Sequence, residues 1–501
     1  MKKTLVSMAA ILAATSAFAE SHAMDLPQAG SDWYAAGQSH IEAMLARQPN
    51  TGRAKNVIVF VADGNGVGTN YAVRLFDGQQ KGMLGEENVL PYETPEWYSA
   101  LVKTYNINAQ TPDSAPTAGA LNTGVKQRFN LINLGENAIH DDCTTEEGNR
   151  LTTFAEIVSG MDKSVGIVST ARITHATPAA VYAKTANRNW EGEIEGDCAG
   201  SKDIATQLID QMEAGVIDMA MGGGGRFFLP EGETNGQSKG RRTDGVNLID
   251  RATGLGAQFA EDTAGFEALT MDAPILALFN DSHMEYEADR ADEDEPSLAD
   301  MTRKSIEFLS QNENGYYLEV EAGRVDHANH DGNAYRTLSD GVAFAEAVAL
   351  ADEMTDDADT LIIVTADHEH AIAFNGYCGR GSDILGLCMG VSKEGEANDG
   401  TPLTAADGKP YTVLGYLNGA GSVLKEPTDG SNDWTGSRSD LTQEEATDID
   451  YVQQALIPMS SETHSGEDVS VYAKGPWSHL LDSTIEQNVI FHVMKHAVDA
   501  E

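Results

Sequence analysis

Six short runs rich in β-branched and apolar residues recur along the chain, with helix-like stretches between them. They lie at 56–62 (NVIVFVA), 164–170 (SVGIVST), 216–221, 275–279, 316–320 and 360–366 (TLIIVTA). Each is too short for a buried helix, and none alternates polar with apolar, so each reads as a strand covered on both faces. The stretches 151–160, 201–214, 298–310 and 339–353 read as helices, with Met301, Ile306 and Leu309 on the face turned toward a sheet. Strands alternating with helices predict an α/β fold with a mainly parallel central sheet flanked by helices. The run 469–473 returns to that sheet, and a closing helix is expected over 485–498.

Charge narrows the partners. The 501 residues carry 78 Asp and Glu against 33 Lys and Arg, a formal charge of −45. A nucleic-acid-binding surface is excluded, because a phosphate backbone needs a basic stripe. An anionic membrane surface is an equally poor partner. The acid is spread along the chain, which reads as a solvated acidic surface, either that of a protein suited to brine or that of a merely acidic mesophilic one.

The amino terminus predicts export. Lys2 and Lys3 precede a short apolar run, and Ala17-Phe18-Ala19 has the pattern of a cleavage site, so 1–19 reads as a signal peptide. A periplasmic or secreted product with no membrane anchor follows, since no later apolar run is long enough to span a bilayer. Four cysteines in an exported chain predict disulfides. Of three connectivities, Cys143–Cys198 with Cys378–Cys388 is expected.

The chemistry gathers where strands end. Asp63 follows NVIVFVA, Glu321 follows YYLEV, and Asp367 follows TLIIVTA, with His368 and His370 just beyond. A single acid after a strand is a turn residue or a helix cap. Three of them, with Asp326, His327 and His330 close behind one, point to metal at the carboxyl ends of the strands. Asp and His without thiolate suit Zn²⁺, and an all-oxygen set of Asp63, Glu321 and a hydroxyl suits Mg²⁺. The GGGG at 222–225 lacks the Lys-Ser/Thr ending of a phosphate loop and reads as a turn. His283, His479, His492 and His496 fit no ligand set and read as surface or packing residues. The stretch 286–295 reads as a solvated face.

Six motifs stand in order: VFVADGNG at 59–66, TPDSAPTAG at 111–119, THATPAAVYAKTANRNW at 174–190, VEAGRVDHANH at 320–330, TADHEH at 365–370 and ETHSGEDV at 462–469. Together they resemble the alkaline phosphatases. The resemblance implies a phosphate monoester hydrolase with two Zn²⁺ and one Mg²⁺, acting on small phosphate monoesters through a phosphoserine. By that resemblance Ser114 is the nucleophile, Arg188 binds phosphate, and Asp113 orients Arg188. Asp326, His330 and His464 hold the first zinc. Asp367 and His368 hold the second, and Asp63 bridges to a magnesium held by Thr177 and Glu321. His370 steadies the zinc carboxylates. His175 and His327 stand at positions that are Asp and Lys in one branch of the family and His in another. Part of the family carries calcium near 280–295, where Asn280 replaces an expected acid.

The glycine-rich stretch 371–463 breaks the strand–helix alternation. It resembles the family's inserted crown subdomain and implies a homodimer, leaving 20–370 and 464–501 as the catalytic domain. Two other readings compete: a phosphodiesterase of the same superfamily, and a non-catalytic periplasmic metal-binding protein. A sulfatase is excluded, since no cysteine begins a C-x-P-x-R motif.

Overall fold

A computed structural model describes residues 26–196, 198, 200–292 and 294–500. The expected signal segment lies outside the described residues. Two units are present, Met1–Gln48 and Pro49–Glu501. The described part of the first carries a helix, Asp32–Ala46.

The second unit is built on ten strands: β1 Asn56–Ala62, β2 Tyr98–Lys103, β3 Ser164–Arg172, β4 Met219–Gly223, β5 Gln258–Ala260, β6 Ile275–Leu278, β7 Tyr316–Ala322, β8 Thr360–Thr365, β9 Val469–Lys474 and β10 Thr484–Glu486. They form one sheet in the order β10-β2-β9-β8-β1-β7-β3-β4-β6-β5. All pairings are parallel except those of β9, which runs against β8 and β2.

Strand β1 shows why the sheet is sandwiched. Val57, Val59 and Val61 enter one core, and Ile58, Phe60 and Ala62 the other. The period of two sends successive side chains to opposite faces. Helices Ser114–Thr123, Phe154–Ser159, Ile204–Glu213 and Val489–Asp499 supply the first core. Helices Val67–Gln80, Leu298–Leu309 and Ala334–Met354 supply the second. Met301, Ile306 and Leu309 are buried there, as their spacing predicts.

Three sequence readings are corrected. The closing helix starts at Val489, because Thr484–Glu486 pairs with β2 as an edge strand. The stretch after Tyr286 is not wholly solvated: Tyr286 and Glu295 are buried, and Tyr286 donates to Asp331 Oδ2 at 2.8 Å. The first two glycines of GGGG finish β4, and the turn begins at Gly224 with φ +100°.

Both expected disulfides are present, Cys143–Cys198 and Cys378–Cys388. Residues 371–463 carry only short pairings, Ile372–Phe374 with Leu414–Tyr416 and Asn418–Gly419 with Ile457–Pro458. Among the described residues, no helix is long and apolar enough to cross a membrane.

Candidate metal and phosphate site

The parallel strands β1, β7 and β8 deliver their acids to one place. Asp63 leaves β1 on a turn in which Gly64 has φ +72°, and a Cβ there would lie 2.5 Å from the His370 ring. Only glycine fits that close approach. Glu321 lies inside β7, one residue before its end, and Asp326 and His330 share the next helix, Arg324–His330. Asp367 and His368 leave β8, and Glu369–His370 pairs antiparallel with His464–Ser465. That pairing brings His464 across from a distant part of the chain.

Three overlapping clusters result. In the first, Asp326 Oδ1 lies 3.4 Å from His330 Nε2 and 3.3 Å from His464 Nε2. The two Nε2 atoms are 3.1 Å apart. The outer nitrogens face carbonyls: His330 Nδ1 donates to Glu462 O at 2.6 Å, and His464 Nδ1 to Pro112 O at 2.9 Å. Such outer bonds fix the tautomer and leave both Nε2 lone pairs turned inward, the arrangement of metal-binding histidines.

In the second cluster, His368 Nε2 lies 3.3 Å from both Asp63 Oδ1 and Asp367 Oδ2. Ser114 Oγ is 3.1 Å from His368 Nε2 and 3.4 Å from Asp63 Oδ1. In the third, Asp63 and Glu321 meet a ring nitrogen of His175. The Thr177 hydroxyl, Glu321 Oε1 and Asp63 Oδ2 are buried without a hydrogen-bond partner.

His370 joins the clusters without facing open space. Its Nε2 meets Asp326 Oδ1 at 2.8 Å and its Nδ1 meets Glu462 Oε2 at 2.5 Å. Burial opposes its charge, but Glu462 and Asp326 prevail and push it up to about 10. Glu462 is fully buried and also accepts from Ala371 N at 2.6 Å. Sequence reasoning gave Glu462 no role, although it opens the motif that contains His464.

Electrostatics gives the clusters their meaning. Burial first, then Asp367, Asp326 and Glu321, raises Asp63 well above the usual carboxylate range. Burial pushes Glu321 up to about 8 and raises Asp367 as well. Burial and His464 hold His368 well below the usual imidazole value. Buried acids crowding one another beside neutral imidazoles, with orphaned acceptors, are what cations relieve. The donor set therefore fits divalent metal at all three clusters.

Phosphate chemistry has its own elements. Ser114 opens the helix Ser114–Thr123, where first-turn N–H groups have no carbonyl a turn earlier. Pro116 is tolerated in that first turn, since its missing N–H is not needed there. Arg188 Nη1 pairs with Asp113, and its Nη2 meets His175 Nε2 at 2.9 Å.

Near the expected calcium position, Asn280 Nδ2 donates to Glu295 Oε1 at 2.7 Å, and Glu285 N donates to Glu295 Oε2 at 2.9 Å. His283, expected on the surface or in helix packing, packs on His327 with ring centres 4.0 Å apart.

The chain is similar to known proteins of one family. A family model for alkaline phosphatase matches residues 54–500. The chain is 38% identical over 489 residues to alkaline phosphatase of Gadus morhua, covering 94% of this chain and 97% of that protein. It is 37% identical over 473 residues to the tissue-nonspecific isozyme of Gallus gallus, covering 91% and 86%. The fold resembles alkaline phosphatases from the Antarctic bacterium TAB5 (TM-score 0.60, 20% identity, 90% of this chain and 99% of that one) and from Thermus thermophilus (TM-score 0.63, 22% identity, 92% and 94%). The chain belongs to the alkaline phosphatase family, a metal-binding family of phosphoric monoester hydrolases.

Proposed function

We propose that this enzyme hydrolyses small phosphate monoesters through a phosphoserine on Ser114, with two Zn²⁺ and one Mg²⁺ at the three clusters. The observation that carries the reading is Ser114 Oγ, set 3.1 Å from His368 Nε2 at a helix start whose preceding residue holds Arg188. Asp326, His330 and His464 would hold the first zinc, and Asp367 and His368, with Asp63, the second; Thr177 and Glu321, also with Asp63, would hold the magnesium.

When bound, the ions supply Lewis-acid charge that activates hydroxyl and water and offsets charge on the leaving oxygen. The chain's own groups do the rest. Arg188, steadied by Asp113, grips two phosphate oxygens with its planar fork. The N–H groups of Ser114 and Ala115 face the same phosphate at the helix start. Ser114 Oγ attacks phosphorus as the ester P–O bond breaks, and the departing alkoxide takes a proton. Water then attacks the phosphoserine, the Oγ–P bond breaks, and Ser114 recovers its proton. His370 and Glu462 keep Asp326 in place. All named contacts lie on the phosphate, so low selectivity for the alcohol is expected.

The export signal at 1–19, a periplasmic or secreted location, a homodimer built around 371–463 and adaptation to salt belong to the same proposal. The disulfides support an oxidising compartment. Metal analysis joined to assays on an aryl phosphate monoester and diester tests the reading. Three ions per chain with strong preference for the monoester are expected; diester preference would favour the phosphodiesterase alternative.

A further inference from the structure

His283 lies against the site without belonging to any of the three clusters. Its ring centre is 4.0 Å from that of His327 and 5.4 Å from that of His175, and those two are 5.3 Å apart. One residue faces both of its nitrogens: the Arg172 backbone N lies 3.2 Å from Nδ1 and Arg172 Nη1 meets Nε2, and a neutral ring accepts from one of these two donors. Arg172 is itself anchored, donating to Glu191 from Nε at 2.8 Å and from Nη2 at 2.7 Å. Thr174 Oγ1 donates to the same carboxylate at 2.6 Å. With both nitrogens turned to Arg172, the His283 ring packs against His327 and His175 as a wedge. The residues beside it are open-ended by contrast. His175 Nδ1 and His327 Nδ1 are buried without partners, and His175 reaches Asp63 and Glu321.

We propose that His283 is a positioning residue for the third cation position. Clamped through Arg172 to Glu191, its ring holds His175 and His327 so that a nitrogen of His175 faces Asp63 and Glu321. That arrangement lets an ion that takes nitrogen donors, such as zinc, compete with magnesium at this position. Magnesium takes oxygen ligands in a near-ideal octahedron, whereas imidazole suits zinc. Orientation by groups behind the ligands is worth about 10- to 100-fold in metal affinity. The inference rests on the third site proposed above.

The test uses full-length protein equilibrated with mixed zinc and magnesium, then analysed for metal content and titrated calorimetrically with magnesium. In His283→Ala, zinc affinity at the third position should fall about 10-fold or more while two zincs stay bound. His283→Phe, which keeps a ring to pack on, should lose less than His283→Ala. Arg172→Lys, which keeps the charge but gives up the fork on Glu191, should shift the zinc-to-magnesium ratio in the same direction as His283→Ala. A wild-type ratio in both His283→Ala and Arg172→Lys overturns the role of His283 and leaves the three-metal reading intact. A wild-type protein that takes up only two ions overturns the third site and this inference together.

Discussion

Asp113 occupies the N-cap of helix Ser114–Thr123 yet makes no side-chain cap hydrogen bond. Its carboxylate accepts instead from Arg188 Nη1 and from the Asn130 backbone N–H, the latter at 3.2 Å. An Asp at this place ordinarily satisfies the first-turn N–H groups of its own helix. Here those groups are left for an anion, and the same carboxylate aims a guanidinium at it.

Asp113→Ala should therefore weaken phosphate binding more than it weakens the fold. Loss of a buried partner to Arg188 costs on the order of 1–3 kcal/mol, or roughly 10- to 100-fold in affinity. Inhibition constants for inorganic phosphate, set beside thermal midpoints, check this. Unchanged phosphate inhibition would show that Arg188 does not depend on Asp113.

The Cys143–Cys198 bridge should act on the same arginine. Cys143 and Cys198 pack on the cluster around the buried Trp190, two residues beyond Arg188. Asp141 N donates to Ala186 O at 3.1 Å, and Arg188 N donates to Asn130 O at 3.0 Å. Replacing both cysteines by serine should cost about 2–4 kcal/mol of stability and raise KM more than it lowers kcat. Equal loss in both constants would mean that the bridge holds the whole site, not Arg188 alone.

Asp340 should make stability depend on pH. It is buried, accepts from Glu287 N at 3.1 Å, and burial pushes its carboxyl up from 3.8 to about 7. With the folded value above the unfolded one, the folded chain binds more protons between them. This contribution is fully present below about pH 4 and is lost as pH rises through 7, at no more than about 1.4 kcal/mol per pH unit. Asp340→Asn should flatten that slope and gain stability at pH 8. Denaturant titrations of both proteins from pH 4 to 8 decide it; parallel curves would refute the assignment.

Salt should stabilise the chain. A formal charge of −45 repels itself, and screening shortens to ~3 Å at 1 M salt. Thermal midpoints should rise with NaCl into the molar range and activity should persist. A midpoint that falls, with activity lost, would leave the acidity without a role in brine.

The sheet interior was legible because strands covered on both faces write themselves as unbroken apolar runs, as in NVIVFVA. The edge strand Thr484–Glu486 and its neighbour Tyr98–Lys103 were not. They are short, partly exposed and polar in places, and Ile485 also continues a helical pattern. The three acids at strand ends were readable because parallel topology sends them to one side. Glu462 and His283 were not, because their partners lie on loops distant in sequence. No periodicity announces that Arg172 will hold His283 against His327.

The central claim is a phosphoserine on Ser114. The direct measurement is acid quenching of the enzyme during turnover of a radiolabelled phosphate monoester, followed by peptide mapping. The account predicts label on the peptide containing Ser114 and none in Ser114→Ala, whose kcat falls by several orders of magnitude while its metal content and thermal midpoint stay near wild type. Label on another residue, or near wild-type turnover by Ser114→Ala, would contradict it.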